Sequence, residues 1–319
     1  TSTTASAINK GSSDNCSISN MTLSRYDFDC SDVGTNTIYL SVTDVNGNID
    51  STSAVVTVKD QIKPDVITQN ITLYLDTSGN ASTTASAINK GSSDNCSIDT
   101  MSLTRYDFEC SDVGTNTIYL RVTDVNGNTD SASAEVTVID QIKPTVITQN
   151  ITLYLDTSGN TSTTASAIDN GSSDNCSISN MTLSQSSFDC SDVGTNTIYL
   201  RVTDVNGNID SASAVVTVID QIKPTVITQN ITLYLDASGQ AVTGTAQIDN
   251  GSSDNCSIGN MTLSQSSFDC SDAGTNTIWL YVTDVNGNID SASAVVDLRD
   301  TIKPKVRTQN RTVYLNTIG

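Results

Sequence analysis

Cysteine has the most definite chemistry in this chain, and it occurs eight times. An even number at a constant spacing is typical of disulfide bonds and of an oxidising compartment. The sequence repeats every 80 residues. We expect one disulfide bond within each repeat, which would close a loop of about 15 residues and stabilise the repeat by roughly 3 kcal/mol. Buried free thiols and bridges between repeats are the alternatives. The cysteines fall in pairs 14 positions apart that recur every 80 residues: Cys16 and Cys30, Cys96 and Cys110, Cys176 and Cys190, and Cys256 and Cys270.

Aspartate is the second residue with chemistry to offer, because its carboxylate is a frequent Ca²⁺ ligand. Of the 35 acidic residues, all but Glu109 and Glu135 are aspartate. The turn at 44–50 reads DVNGNID and places oxygen ligands at alternate positions around a glycine. This resembles the first half of an EF-hand loop but lacks the closing glutamate. A hairpin turn whose Asx side chains bond the backbone is the alternative.

A second way to hold calcium is a site at the junctions between repeats. A D-x-I-K-P stretch supplies one aspartate at each junction, and neighbouring loops such as Asp94-Asn95 would add oxygens. Extracellular modules commonly use weak sites of this kind, matched to millimolar calcium. The candidate ligands are Asp60, Asp140, Asp220 and Asp300 at the junctions and Asp44, Asp124, Asp204 and Asp284 in the turns.

Several classes of function are disfavoured by composition. The chain contains no histidine, which removes catalytic triads, imidazole acid–base chemistry and histidine metal sites; zinc is not expected from two cysteines per repeat. We predict no catalytic residue and no enzyme. The net charge of -20 disfavours nucleic acid, because phosphate contacts need lysine and arginine. No membrane segment is expected, because no stretch reaches the roughly 20 apolar residues that a span needs.

The elements that position these residues repeat with the same period of 80. SSDNCS begins at Ser12 and TDVNGN at Thr43, and each recurs three more times. Such a period exceeds the 20–50 residues of solenoid repeats and is long enough for a small self-contained β domain. The predicted fold is therefore all-β: tandem immunoglobulin-like antiparallel β-sandwich domains in an elongated array.

The four prolines mark the predicted boundaries, because proline cannot donate to a sheet ladder and belongs at an edge or at the start of a strand. They are Pro64, Pro144, Pro224 and Pro304. We predict a partial repeat lacking its first strand at 1–60, three whole repeats at 61–140, 141–220 and 221–300, and the first strand of a further repeat at 301–319. We expect this sequence to be a window from a longer array.

Within the repeat at 141–220, alternating apolar residues predict half-buried strands. Val146–Leu155, Thr163–Ile168, Met181–Leu183, Thr197–Thr203 and Ser211–Val218 are the predicted strands. The Asn-Gly pair at 206–207 predicts a type I′ hairpin turn between the last two. The phenylalanine two residues before each second cysteine is expected in the core, and the tyrosines at 39, 74 and their equivalents on an outer face.

The order of these motifs carries a resemblance. D-x-x-x-P, an alternating strand, S-D-N-C, F-x-C-x-x-x-G-x-N-x-[IVL] and V-T-D-x-x-G-N together resemble the hyalin repeat (HYR) family of immunoglobulin-like domains. The motifs SSDNCSI, FDCSDVGTNTIYL and VTDVNGN are most similar to the repeats of gliding-motility cell-surface adhesins of Bacteroidetes (SprB type). The resemblance covers the whole chain, and it implies extracellular display, adhesion and no catalysis.

The resemblance also draws attention to the Asp-Ser-Ala triplets, because they match a short O-glycosylation signal associated with Bacteroidetes. The candidate acceptors are Ser131, Ser211 and Ser291; a solvated strand entry is the alternative.

Our functional hypothesis is a structural stalk of a long cell-surface adhesin or filament, presenting adhesive function away from the cell in gliding motility or surface attachment. The alternative is a multivalent array in which each domain binds carbohydrate or a surface weakly and gains by avidity. Expected partners are further repeats of the same chain, other copies laterally, and external surfaces or polysaccharide.

Overall fold

The computed structural model describes residues 1–316; residues 317–319, the end of the predicted segment 301–319, lie outside the described residues. We number the sequence repeats 1 to 4 in chain order, for residues 1–60, 61–140, 141–220 and 221–300. The described chain is almost entirely strand and loop, with single helical turns. None of its helices is long and apolar enough to cross a membrane. The all-β prediction is confirmed.

Repeats 2, 3 and 4 contain the same elements in the same order. In repeat 2 they are β4 (Ile71–Tyr74), β5 (Asn80–Ser82), α2 (Ala85–Ile88), β6 (Ile98–Leu103), β7 (Asp107–Glu109), a 3₁₀ turn (Cys110–Asp112), β8 (Gly114–Asp124) and β9 (Thr129–Ile139). In repeat 3 they are β10 (Ile151–Tyr154), β11 (Asn160–Ser162), α3 (Ala165–Ile168), β12 (Ile178–Leu183), β13 (Ser187–Asp189), a 3₁₀ turn (Cys190–Asp192), β14 (Gly194–Asp204) and β15 (Ile209–Ile219). In repeat 4 they are β16 (Ile231–Tyr234), β17 (Gln240–Val242), α4 (Thr245–Ile248), β18 (Ile258–Leu263), β19 (Ser267–Asp269), a 3₁₀ turn (Cys270–Asp272), β20 (Gly274–Asp284) and β21 (Ile289–Arg299).

Within the described residues, repeat 1 lacks the first two strands of this series and the short strand equivalent to β7, where only an isolated bridge between Ser2 and Asp27 forms. Its elements are α1 (Ala5–Ile8), β1 (Ile18–Leu23), a 3₁₀ turn (Cys30–Asp32), β2 (Gly34–Asp44) and β3 (Ile49–Val58). Its sheet therefore has three strands in the order β1-β2-β3, where the other repeats have four.

Each complete repeat has a four-stranded and a two-stranded sheet. In repeat 4 the larger sheet has the order β16-β21-β20-β18, and β17 pairs with β19 in the smaller one. The long hairpin is antiparallel, with Gly274 opposite Leu298 and Thr283 opposite Ile289. β16 joins it in parallel, with Ile231 opposite Val296. One strand pair in each complete repeat is thus parallel, whereas the sequence pattern suggested antiparallel pairing throughout.

The core lies between the two sheets because inward positions of the long strands are apolar. Along β20, Ile278, Leu280 and Val282 are fully buried, while the residues between them face outward. Phe268 comes from the smaller sheet and is also buried, as are its equivalents Phe28, Phe108 and Phe188. The prediction that these phenylalanines are core residues is confirmed.

Three local predictions for repeat 3 need correction. Thr163–Ile168 is not a strand: Ala165–Ile168 forms one helical turn that begins after Thr164, because alanine, present at 165 and 167, favours helix over strand. Val146–Leu155 is extended only as the short strand β10, with isolated bridges at Thr145 and Thr148. In the hairpin turn only Gly207 has a positive φ, of 92°. A type I′ turn needs two such residues, so this turn is a different type with glycine in the left-handed position.

The described chain divides into two compact units. The first comprises Thr1–Lys143 with the loops Asp174–Ser177 and Asp204–Asn208; the second comprises Pro144–Ser173, Ile178–Thr203 and the chain from Ile209 onward. Every junction described below lies within one of these units.

A candidate metal site beside the junction disulfides

The disulfides join successive repeats. Cysteines 66 positions apart are bonded, with Cα–Cα distances of 5.3 Å: Cys30–Cys96, Cys110–Cys176 and Cys190–Cys256. Cys16 and Cys270 are free and exposed. The predicted pairing within repeats, Cys16–Cys30, Cys96–Cys110, Cys176–Cys190 and Cys256–Cys270, is therefore wrong, and the bridge between repeats, first weighed as an alternative, is the one that forms.

The length of the central strand explains why the cysteines of one repeat do not meet. Cys256 precedes β18, whose first residue Ile258 lies opposite Asp284 at the end of β20. Cys270 lies just before Gly274 at the other end of β20. Eleven residues of strand place these ends roughly 35 Å apart, whereas a disulfide needs Cα atoms within about 7 Å. The second cysteine of one repeat therefore bonds the first cysteine of the next.

Next to each disulfide lies a group of three aspartates whose carboxylate oxygens are within 4.8 Å of one another. One comes from the linker after the last strand of a repeat; the following repeat supplies one from a loop and one from the end of its first long strand. The groups are Asp60, Asp94 and Asp124; Asp140, Asp174 and Asp204; and Asp220, Asp254 and Asp284. Below, each is called an acidic cluster.

In the third acidic cluster, local hydrogen bonds hold one carboxylate oxygen of Asp220 and of Asp254 and both oxygens of Asp284, whose Oδ2 accepts from Asn288 Nδ2 at 2.7 Å. Asp220 Oδ1 accepts from the backbone N–H of Ile222 at 3.1 Å. Asp254 Oδ2 accepts from the N–H of Cys256 at 2.8 Å. Asp284 Oδ1 accepts from the N–H groups of Asn286 and Asn288 at 2.8 Å. The turn capped by Asx side chains, an alternative to a calcium loop, thus exists and also positions a carboxylate in the cluster.

The other side of the cluster consists of buried oxygens that accept no hydrogen bond within the described residues. They are Asp220 Oδ2, Asp254 Oδ1, Asn255 Oδ1 and Asn286 Oδ1. Asp220 is only 6% exposed, and a buried acceptor without a partner costs about 1–3 kcal/mol. The second cluster repeats the pattern at Asp140, which has the same exposure and the same lone Oδ2.

The charges in the third cluster are not balanced by a lysine or arginine of the described chain. The ion pairs there join Arg25 to Asp32, Arg105 to Asp112 and Arg299 to Asp297, and none reaches Asp220, Asp254 or Asp284. Two carboxylate charges about 4.8 Å apart repel by roughly 3 kcal/mol at an effective dielectric constant of about 20. In the first cluster, burial disfavours the charge of Asp124, but hydrogen bonds from Asn128 and Asn126 outweigh that cost and hold the pKa of its carboxyl below the ordinary value. An ionised cluster with unpartnered oxygens is chemically suited to a hard divalent cation.

Asn255 connects the acidic cluster to the disulfide. Its Nδ2 donates to Asp220 Oδ1 at 3.2 Å and to the backbone oxygen of Asp156 at 3.4 Å. Its own backbone oxygen lies 3.5 Å from Cys190 Sγ. Gly159 closes the contact: a Cβ there would lie 2.7 Å from Cys190 Sγ and 2.8 Å from the oxygen of Asn255.

Of the eight predicted metal ligands, six lie in acidic clusters. Asp44 bonds Asn48 within its own turn, and exposed Asp300 bonds the N–H of Ile302; neither lies in a three-carboxylate cluster of the described residues. Asp174 and Asp254 were not predicted, although Asp94, their equivalent, was considered. The signal was the aspartate that precedes the first cysteine of each repeat by two positions.

The remaining predicted residues lie away from the junctions. Ser131 and Ser211 are exposed near the start of β9 and β15, and Ser291 is half-buried on β21. Tyr119, on β8, and Tyr74, on β4, are about half exposed. Exposure alone does not test glycosylation of the serines or ligand binding by the tyrosines, so both stay predictions.

No protein-family model matches this chain, and no curated protein matches it. Among solved structures, it is similar to protocadherin gamma B7 extracellular cadherin domains 1–4, with 14% identity, a TM-score of 0.30 and coverage of 84% of each chain. It is also similar to mouse cadherin-23 EC22–24, with 11% identity, a TM-score of 0.32 and coverage of 75% of this chain and 99% of that one. Likeness at this level does not extend to what the chain binds.

Proposed function

We propose that this chain is a tension-bearing stalk segment of an extracellular cell-surface adhesin of the hyalin-repeat type, which holds an adhesive function away from the cell in gliding motility or surface attachment. The observation that carries the proposal is the disulfide between successive repeats. Disulfides persist in oxidising compartments such as the cell exterior, and their pairing here determines which parts of the chain bear load.

The disulfides shorten the covalent path along the chain. Each bond spans 66 positions, and only 14 positions separate one bond from the next, as between Cys96 and Cys110. The long strands β8 and β9 lie inside the bypassed loop from Cys110 to Cys176. At about 3.5 Å per residue, an unfolded repeat of 80 residues would extend by roughly 280 Å, whereas the 14-residue path extends by roughly 50 Å.

Single-molecule stretching tests this mechanism. With handles at the two ends, the oxidised chain should show at most one long unfolding step, from the end after Cys256, which no disulfide spans. With a reducing agent, steps of roughly 200 Å or more should appear, one for each repeat released. The matched control is Cys16→Ser with Cys270→Ser, which removes two thiols and no bond. More than one long step in the oxidised chain would contradict the proposal.

We further propose that the acidic clusters bind Ca²⁺ and stiffen the junctions. Carboxylate, amide and backbone oxygens are the ligands Ca²⁺ takes, usually six to eight of them. In the third cluster, Asp220, Asp254 and Asp284 would hold the ion, with the unpartnered amide oxygen of Asn255 nearby. Because one carboxylate comes from each linker, binding would join the end of one repeat to the loops of the next.

Equilibrium dialysis with radioactive Ca²⁺ tests the clusters directly. We expect three ions per chain, with dissociation constants of about 10⁻⁴–10⁻³ M, the range of extracellular modules. Asp220→Asn should remove one ion, whereas Asp290→Asn, which changes an exposed aspartate outside the clusters, should remove none. Equal uptake by the two variants would contradict the assignment. Stiffening is checked by small-angle scattering, in which chelator should change the profile of the wild type.

A second candidate function is weak multivalent binding of carbohydrate. It is favoured by the half-exposed aromatic side chains of Tyr74 and Tyr119 and their equivalents, which recur in every complete repeat. A glycan array probed with the intact chain tests it. Binding lost on changing these tyrosines to serine would support this function, and no binding to any glycan would remove it.

A further inference from the structure

We infer that the junction disulfide and the calcium site are energetically coupled, so that each bond Cys30–Cys96, Cys110–Cys176 and Cys190–Cys256 raises the calcium affinity of the acidic cluster beside it. This inference rests on the calcium binding proposed above and concerns its regulation. The third junction, whose parts all lie in one compact unit, serves as the example.

The site is assembled from two repeats. Asp220 follows the last strand of repeat 3, whereas Asp254 lies in a loop of repeat 4 and Asp284 ends its strand β20. The linker through Pro224 connects the two parts along the chain, and the bond from Cys190 to Cys256 is a second covalent connection. Binding a cation that needs both parts costs less conformational freedom of the protein when the disulfide already holds the two parts together.

The disulfide is attached directly to a ligand loop. Asp254, Asn255 and Cys256 are consecutive, so the bond fixes a carboxylate two residues away. Asp254 Oδ2 accepts the N–H of Cys256, and its Oδ1 stays without a partner. Asn255, between them, donates to Asp220 on the opposite part of the site. A displacement of Cys256 therefore moves both residues relative to Asp220.

The coupling concerns the placement of the loop rather than its shape. The serine after each first cysteine has a positive φ: 137° at Ser257, beside bonded Cys256, and 123° at Ser17, beside free Cys16. The repeat sequence therefore sets the loop conformation with or without the bond. What the bond adds is the position of the loop against the preceding repeat.

The affinity test uses the full chain with one cluster left. Asp60→Asn and Asp140→Asn disable the first two clusters and leave the third. In this background, Cys190→Ser with Cys256→Ser should weaken Ca²⁺ binding by about tenfold. The matched control, Cys16→Ser with Cys270→Ser, removes two cysteines but no bond and should bind within twofold of the parent. Amide hydrogen exchange in β20 and β21 verifies that repeat 4 remains folded.

Linkage gives a second readout, because coupling between two sites is reciprocal. A dithiol reduces the bond by forming a mixed disulfide, which its second thiolate then displaces, giving two cysteine thiols and a cyclic disulfide. Saturating Ca²⁺ should therefore make the equilibrium reduction of Cys190–Cys256 about tenfold less favourable, as measured by alkylation and mass spectrometry. In Asp220→Asn, Ca²⁺ should have no such effect.

The outcomes separate the two proposals. If the parent with one cluster binds no Ca²⁺, the calcium proposal fails. If the parent binds Ca²⁺ and the variant without the disulfide binds it equally well, calcium stands and the coupling is overturned. Weaker binding without the disulfide, together with protection of the bond by Ca²⁺, supports the coupling.

Discussion

Asn255 Nδ2 donates to Asp220 Oδ1 at 3.2 Å, and these two residues belong to successive repeats. Asn175 makes the same contact with Asp140 at 3.3 Å in the second junction. The side-chain amide of Asn255 thus contacts Asp220 and Asp156, and its backbone oxygen lies near Cys190. One residue therefore links the linker, the preceding repeat and the disulfide. The junction is therefore where repeats act on one another, and the predictions below address its bonds and its neighbours.

The disulfide pairing is the first prediction. Peptide mapping of the unreduced chain should find Cys30 joined to Cys96, Cys110 to Cys176 and Cys190 to Cys256. Because Cys16 and Cys270 are free and exposed, a thiol reagent should label two cysteines per chain before reduction and eight afterwards. A peptide in which Cys96 is joined to Cys110 would contradict the pairing.

The second prediction concerns the glycine packed against the disulfide. Gly159 and Gly239 have nearly the same φ, 75° and 77°, so alanine meets the same backbone cost at both. A Cβ at 159 also meets the backbone of Asn255, whereas a Cβ at 239 meets only the thiol of Cys270. Overpacking against a fixed backbone costs typically about 1–3 kcal/mol.

Gly159→Ala should therefore be more destabilising than Gly239→Ala by about 1–3 kcal/mol. The loss should be local, so hydrogen exchange of amides in Asp254–Ser257 should accelerate in Gly159→Ala and stay unchanged in Gly239→Ala. Equal effects of the two substitutions would show that the contact with Asn255 adds nothing.

Most of the fold followed from local patterning, and most of the junction did not. The alternation around Ile278, Leu280 and Val282 encodes the buried face of β20 directly, because side chains in a strand alternate between faces. The pairing of Cys190 with Cys256 depends instead on which ends of two repeats meet, and a spacing of 14 or 66 residues carries no such information. A perfect repeat makes the problem harder, because bonds within and between repeats have the same periodicity. The acidic clusters were partly predictable: the motifs placed a linker aspartate and the loop of Asp94 at one junction, and only the topology brought the turn aspartates, such as Asp284, to the same site.

The third prediction is a pH dependence in repeat 2. A hydrogen bond from Arg105 to Asp112, at 2.7 Å, is the main cause that lowers the pKa of the Asp112 carboxyl, and the backbone N–H of Glu109 adds to it. In repeat 3, Gln185 occupies the position of Arg105 and bonds Asp192 without a charge. Arg105→Gln should therefore raise the pKa of Asp112, which NMR titration of its carboxyl measures.

The sign of the stability effect follows from that shift. Because the folded-state pKa lies below the unfolded one, the stabilisation is complete above the ordinary aspartate pKa of about 3.9 and is lost as pH falls through the folded value. Arg105 is partly exposed and solvent screens its charge, so Arg105→Gln should lower stability only slightly near neutral pH and not at all below the folded-state pKa. A loss that persists at low pH would show that packing of Arg105 over Phe108, and not its charge, is responsible.

The last prediction concerns the edge of β3 in repeat 1 and the segment ending near Leu315, whose equivalents in the other repeats are covered. In repeats 2 to 4 the short first strand pairs in parallel with the last strand, but β3 of repeat 1 has β2 as its one neighbour among the described residues. The equivalent segment near the end of the chain forms no strand up to residue 316. There Leu315 is 87% exposed, whereas its equivalent Leu235 is 4% exposed.

An exposed strand edge can pair between molecules with a segment that resembles the strand covering that edge in the other repeats; here Val313 and Leu315 keep the apolar positions, whereas Arg311 replaces the isoleucine at 231. As an isolated polypeptide carrying Cys16→Ser and Cys270→Ser, the chain should therefore form concentration-dependent head-to-tail oligomers, seen by analytical ultracentrifugation. Removal of residues 301–319, or the single change Leu315→Asp, should leave it monomeric, because the donated segment then lacks its buried side chain. Oligomers that persist in both variants would mean that another surface associates, and a monomer at high concentration would mean that the edge of β3 does not accept the segment.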